Sequence, residues 1–402
     1  MHGLPTAAPA EVGLCPERTQ RIVQVLQRDV DRGRLPGASV LIARRGRVVL
    51  DTAVGRLDPA RDVPMGNDAI FRIYSMTKPI VSVAALMLVE QGRLLLSDAV
   101  GQYVPGFMRQ QVAVPGSQGI ALVPAARPST VQDLLRHTAG LTYEFTGNEH
   151  VNQLYSQAGL GDRQQTNAEL CERLAALPLA HQPGTTWAYS RATDVLGRVI
   201  EVVTGQTLGA YLRDHILQPL GMNETAFFVP EEQHQRIAEA FEHDPDGGTQ
   251  MPMHDPREVP ALEMGGGGLM STQHDYARFL QCLIHGGELD GQRLLSPHTL
   301  AYMTADHLGS AIAHTDNPLL PPGHGFGLGF AVRTEAGVAP VPGSPGTYHW
   351  SGIGGTHFFV DPAEELFAIF MAQAPNQRVF YRQLMRGLVY GAVVQPNSTL
   401  GG

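Results

Sequence analysis

The residues best suited to chemistry are Ser75 and Lys78, three apart in the run FRIYSMTKPIVSVAALMLVEQG (71–92). On a helix that offset puts two side chains on one face, with Cβ atoms about 5–6 Å apart, so a lysine amine reaches a serine hydroxyl. A serine becomes a useful nucleophile only when a neighbouring group takes its proton or stabilises its alkoxide. Of the 29 Lys plus Arg residues 28 are arginine, so Lys78 is the only lysine in the chain. An arginine cannot give up its proton near neutral pH, whereas a lysine can.

The element that must carry this pair is bounded by Pro79 and Gly92. Proline is tolerated in a helix only near its first turn, so Ser75 sits at or beside a helix N-terminus, where the positive end of the helix favours an anion. Ile80, Val81, Val83, Leu86, Met87, Leu88 and Val89 are apolar nearly all round, which predicts a buried helix. Upstream, Ile22, Val23, Leu26 and Val30 share one face of an amphipathic helix over Pro16 to Arg32. The segment ASVLIARRGRVVLDTAVGRLD (38–58) predicts an antiparallel hairpin turning at Arg45 and Gly46, and a third short strand leads into Ser75.

Beyond Gly92 helices and loops take over. Residues 110–128 read as a Pro/Gly-containing loop. Capping-box patterns at Ser129–Gln132 and Thr166–Glu169 start helices, and another helix covers Ala192 to Val203. Residues 223–260 are polar and irregular; His234, His243 and His254 there lack any metal-ligand spacing and read as solvated loop histidines. Gly265 to Gly268 lead into a helix capped by Ser271 or Thr272. Without a following G-K-[ST] or a preceding strand, the glycines imply tight packing or close approach of the backbone to a ligand. Strand-like runs return at 325–333, 346–361 and 365–373, and Asn376 to Val389 form a closing helix. Strands at both ends with helices between imply an α/β fold: residues 1–84 and 264–402 build one discontinuous sheet domain, and 85–263 form a mainly helical insertion over the active site.

The formal charge of −9 leaves no basic field for nucleic acid. Cys15, Cys171 and Cys282 are widely spaced and odd in number, and read as free, mostly buried thiols suited to a reducing compartment. No run reaches the roughly 18 apolar residues of a membrane span and the N-terminus has no signal-like pattern, so a cytoplasmic protein without membrane partners is expected.

Three motifs line up in order: Ser75 to Lys78 as S-x-x-K, Tyr189 to Arg191 as Y-S-R, and Trp350 to Gly352 as W-S-G on a late strand. Together with LLRHTAGL (134–141) and GGGGLMST (265–272), they resemble the serine β-lactamase and penicillin-binding-protein superfamily over almost the whole chain, and most of all the family VIII carboxylesterases of the EstB type. The resemblance implies a β-lactamase-like fold with a central antiparallel sheet flanked by helices. Class C β-lactamases usually carry Y-x-N and a lysine-led third motif; Arg191 and Trp350 stand in those places. Losing that cation removes an anchor for β-lactams and peptide C-termini, while tryptophan offers an apolar wall for an ester. The G-x-S-x-G elbow of α/β-hydrolase esterases is absent, and Ser344 lacks its spacing.

The resemblance implies hydrolysis of short-chain or small carboxylic esters through an acyl-enzyme on Ser75, with Lys78 and Tyr189 as the coupled basic centre and backbone N–H groups of Ser75 and Ile353 as the oxyanion hole. Trp350, Gly352 and Tyr143 are the expected substrate-binding residues. His137 reads as structural, and Arg72 and Tyr74 have no assigned role. A small-molecule ester is the expected partner, and the reaction needs no cofactor or metal. An acyltransferase of the same fold would share Ser75, Lys78 and Tyr189. A β-lactamase or D-amino-acid peptidase is disfavoured by Arg191 and Trp350, and a non-turnover binding protein by the retention of all three motifs.

Overall fold

The computed structural model describes residues 3–116, 119–146, 149–314 and 319–397. Its largest sheet has eight strands, all paired antiparallel: β1 (Gly37–Arg44), β2 (Arg47–Asp58), β3 (Val63–Pro64), β4 (His324–Phe326), β5 (Ala331–Arg333), β6 (Tyr348–Ser351), β7 (His357–Asp361) and β8 (Leu366–Ala372). The spatial order is β4-β5-β6-β7-β8-β1-β2-β3. The two ends of the chain therefore meet where β1 pairs with β8, from Ala38 opposite Ala372 to Arg44 opposite Leu366. Between β1 and β2, Arg45 (φ 51°) and Gly46 (φ 73°) are both left-handed, as a two-residue hairpin turn of type I′ requires.

The helices that bear on the site are α1 (Pro16–Asp31), α2 (Thr77–Glu90), α3 (Ala192–Thr204), α4 (Gln273–Ile284) and α5 (Arg378–Ala392). Alternation along the strands divides the core in two. Val40, Ile42, Ala368 and Phe370 pack with Ile22 and Leu26 of α1 and Tyr381 and Met385 of α5. Leu41, Ala43, Phe367 and Ile369 face a larger core that includes α2, α3 and α4. Covered on both faces, β1 is buried along all eight residues, which is why its sequence reads as a nearly continuous apolar run. Helix α2 is buried from Thr77 through Leu88, as its all-round apolar sequence predicts, and Gly92 lies just past its end at φ 67°.

Several local expectations shift. Residues 110–128 are not simply a loop: Gln111–Gly116 and Gly119–Pro124 form a hairpin. These two strands pair with each other as a separate sheet, where Pro115 and Pro124 are tolerated because few ladder donors are needed. The helix expected from Ser129 is capped one residue later, by Thr130, with Asp133 completing the capping box. Thr166 and Glu169 cap their helix as expected, and Thr272 caps α4. The run 325–333 is split by a turn into β4 and β5, and 346–361 into β6 and β7. Cys15, Cys171 and Cys282 are free thiols, the last two buried. Among the described residues no helix is long and apolar enough to cross a membrane.

Candidate active site

Ser75 lies in a single 3₁₀ turn, Tyr74–Met76, that runs directly into α2. The turn is held from three sides. The strand Phe71–Arg72 before it pairs with Met270–Ser271. Tyr276 of α4 donates its hydroxyl to the Met76 carbonyl at 3.0 Å, and the Thr77 hydroxyl accepts from the Leu269 N–H at 3.1 Å. From the sheet, the Thr356 hydroxyl donates to the Ile73 carbonyl at 3.3 Å. These contacts hold Tyr74 at φ 44°, a left-handed conformation that costs a non-glycine residue about 1–2 kcal/mol and aims the next side chain into the cavity.

Two side chains converge on Ser75. The Tyr189 hydroxyl donates to Ser75 Oγ at 2.7 Å, and Lys78 Nζ donates to the same oxygen at 3.3 Å. The other two lysine donors go to the Tyr143 hydroxyl at 3.0 Å and the Gly266 carbonyl at 2.5 Å, which uses all three ammonium donors. Nζ also lies 4.7 Å from the centroid of the Tyr189 ring, within cation–π range. Burial holds the Tyr143 phenol well above its usual pKa, and the neighbouring Tyr189 and Asp194 add to the effect.

The ring of Tyr189 is fixed by an aromatic cage. Trp350 meets it at 5.2 Å in an edge contact, His137 at 5.0 Å and Tyr143 at 5.2 Å. His137 is buried at φ 56°, with Nδ1 3.2 Å from the Ser190 hydroxyl. Burial, with Lys78 second, pushes its pKa far down, so it supports the tyrosine as a neutral ring. Trp350 both lines the cavity and packs in the core, 2% exposed.

The glycine run at 265–268 is a packing device. A Cβ at Gly265 would lie 2.6 Å from the Thr193 carbonyl, and one at Gly266 2.7 Å from Asp194 Oδ1. The Gly266 N–H donates to that carboxylate at 2.7 Å while its carbonyl accepts from Lys78. Arg191, at the position where Asn is usual, pairs with Glu144 at 2.5 Å and Asp194 at 3.5 Å. Gly352 does not line the cavity: it abuts the Ile73 carbonyl, 2.4 Å from where its Cβ would be. Ser75, Tyr143, Trp350 and Ile353 do line it.

The cavity measures about 850 Å³, room for a small ester with space to spare. Its far wall holds residues that the sequence did not disclose. His254 is not a solvated loop histidine: its ring meets Tyr74 edge-on at 5.1 Å, and burial, Arg163 and Arg72 lower its pKa to about 3. Arg72 fastens this loop, donating to the carbonyls of His254 at 2.7 Å and Ala238 at 2.9 Å. Arg163, Arg378 and Arg382 also reach the cavity. No motif or periodicity marks these residues, because loops far apart in the chain bring them together. Tyr74 and Arg72 had only their nearness to Ser75 as a signal.

Fold and site together define a class of serine enzyme in which a serine and a lysine share one helix entrance. Residues 22–386 match the β-lactamase family, and the chain belongs to it. It is 34% identical over 370 residues to esterase EstB of Burkholderia gladioli, covering 85% of this chain and 87% of EstB. Among solved structures it is similar to EstCE1, described as a hydrolase with promiscuous acyltransferase activity, at 29% identity and a TM-score of 0.80, covering 93% of this chain and 98% of EstCE1. Simvastatin synthase from Aspergillus terreus shares the fold at 22% identity and a TM-score of 0.77, over 96% of this chain and 99% of its own. The protein is a serine hydrolase of the β-lactamase fold, as the three motifs led one to expect.

Proposed function

We propose that this protein is a carboxylesterase that hydrolyses small carboxylic esters through an acyl-enzyme on Ser75. The observation that carries the reading is the convergence of Tyr189 at 2.7 Å and Lys78 at 3.3 Å on one serine oxygen inside a largely apolar cavity. Ser75 Oγ attacks the ester carbonyl as its proton passes to whichever of Lys78 and Tyr189 is deprotonated in the reacting form, the free amine or the phenolate. Tyr143, kept protonated by burial, takes no proton and serves as an acceptor for the lysine. Backbone N–H groups of Ser75 and Ile353 receive the oxyanion, a contribution worth about 10²–10³ in rate per donor. Tyr189 then protonates the departing alcohol and afterwards draws a proton from the incoming water. Trp350 and Tyr143 supply the apolar wall against which the ester lies.

A second reading, transfer of the acyl group to an alcohol or amine, is favoured by the likeness to EstCE1, whose description includes acyltransferase activity. Both readings use the same serine and differ in the acceptor. Steady-state hydrolysis of p-nitrophenyl butyrate by the wild type and by folded Ser75→Ala tests the first step. Repeated turnover that falls to background in the variant supports the proposal, and equal rates refute it. Product analysis with an added alcohol then separates hydrolysis from transfer.

A further inference from the structure

Four arginines line the cavity, Arg163, Arg191, Arg378 and Arg382, and among the described residues lining it there is no aspartate or glutamate. In a chain of formal charge −9 this is a local excess of positive charge where a substrate must lie. Arg191 is neutralised by Glu144 and Asp194. Arg378 donates to the Pro375 carbonyl at 2.5 Å. Arg382 lies close enough to Tyr189 for the two to interact electrostatically; one of its nitrogens, Nε, is buried without an acceptor, short of the two-nitrogen edge that grips a carboxylate.

Arg163 is different. Its backbone carbonyl accepts from the N–H groups of Ala261 (3.0 Å) and Leu262 (3.1 Å), which fixes the loop. The guanidinium Nε and Nη2 are buried and have no acceptor. Glu258 acts on it through space without a hydrogen bond to either nitrogen. Its cavity neighbours include His254, an imidazole that carries no negative charge, and Tyr74, whose phenol burial keeps protonated, so neither supplies a counter-charge. A buried donor of a charged group left without a partner is costly, and a guanidinium edge is shaped to hold a carboxylate by two parallel bonds.

Resting on the esterase reading, we propose that the esters processed here carry a carboxylate, which Arg163 receives by turning its unpaired edge from the Tyr74–His254 wall into the cavity while Ser75 attacks the ester carbonyl. The specificity becomes one for acidic half-esters or carboxylated alcohols rather than for neutral short-chain esters.

Two matched pairs of esters test this. Mono-p-nitrophenyl adipate and p-nitrophenyl hexanoate differ by a carboxylate on the acyl chain; 4-carboxyphenyl and 4-carbamoylphenyl hexanoate differ by one on the alcohol. In the wild type, kcat/KM for the anionic member should exceed that for its neutral partner by roughly tenfold or more in one pair, and that pair shows which end of the ester faces Arg163. Arg163→Gln should remove this preference mainly through KM, and Arg163→Lys should restore part of it. Should Arg163→Gln not fold, Arg163→Lys and the loss of the preference in 0.5 M NaCl decide. If the wild type favours the neutral member of both pairs, or if folded Arg163→Gln keeps the preference, the inference is overturned while Ser75-dependent hydrolysis stands. If Ser75→Ala hydrolyses all four esters as fast as the wild type, or the wild type hydrolyses none, the esterase reading and this inference fall together.

Discussion

At the scale of single residues, the two phenols beside Lys78 differ in what they touch. Both contact the lysine, but only Tyr189 also touches the serine oxygen, and burial keeps Tyr143 protonated. Tyr189→Phe should therefore lower kcat by about 10²–10⁴, the usual worth of a positioned acid–base group. Tyr143→Phe, which removes one acceptor from Lys78, should cost roughly tenfold, in line with the loss of one buried hydrogen bond. Measured kcat values in the reverse order would transfer the proton-handling role to Tyr143. Ser75 and Lys78 were legible in the sequence because their relation is local: a helical offset, a helix start fixed by Pro79, and a lysine with no rival. Tyr189 was legible only through the ordered motifs, since 114 residues separate it from the serine it contacts. Arg163 and His254 were not legible, because a loop residue acquires its neighbours from the tertiary fold alone.

At the scale of elements, the site depends on a turn of the sheet pressed against the turn that carries Ser75. The β6–β7 connection brings Gly352 against the Ile73 carbonyl, and the Gly352 N–H donates to the Thr356 carbonyl at 2.8 Å. An added Cβ would lie 2.4 Å from both the Ile73 oxygen and Thr356 Oγ1, and backbone cannot yield as a flexible side chain can. Gly352→Ala should push Ile353 and its N–H away from Ser75 and lower kcat by about 10²–10³, as loss of an oxyanion donor does, with KM changing much less. An unchanged kcat in the folded variant would remove Ile353 from the proposed oxyanion hole. The β1–β2 hairpin, α1, α2, α3 and α5 could be read from periodicity and turn chemistry. The hairpin at 111–124 could not, because its Pro and Gly residues are loop signals unless the strands are known to pair only with each other. The cap at Thr130 was displaced by one residue because Ser129 and Thr130 both suit the role, and Asp133 decided between them.

For the whole molecule, buried neutral histidines make acid a denaturant. Burial lowers the pKa of His137, His181, His254, His307, His324, His349 and His357 below the ordinary 6.5, to about 3 for His254 and about 4 for His324. Between those folded values and 6.5 the unfolded chain binds more protons than the folded one, so stability rises with pH across that window. The stabilisation is complete above about pH 6.5 and is lost as pH falls toward the folded pKa values. Asp275, raised by burial to about 6, opposes this between 3.8 and 6, one group against seven. The thermal unfolding midpoint should fall by roughly 5–10 °C between pH 7.5 and pH 5; a midpoint that is flat or rises would show that these histidines are not held neutral. That both chain ends would share one sheet was legible, since strand-like runs cluster at the two ends with helices between. The charge of the cavity was not: a chain of net −9 gives no hint that its site gathers arginines.

Acylation of Ser75 is the step on which the esterase reading stands. The most direct measurement is the mass of the protein quenched in acid during turnover of a p-nitrophenyl ester, followed by peptide mapping. An added mass of one acyl group per chain is expected on the peptide containing Ser75, absent from Ser75→Ala. Continued turnover with the acyl group on another residue, or by Ser75→Ala, would contradict it.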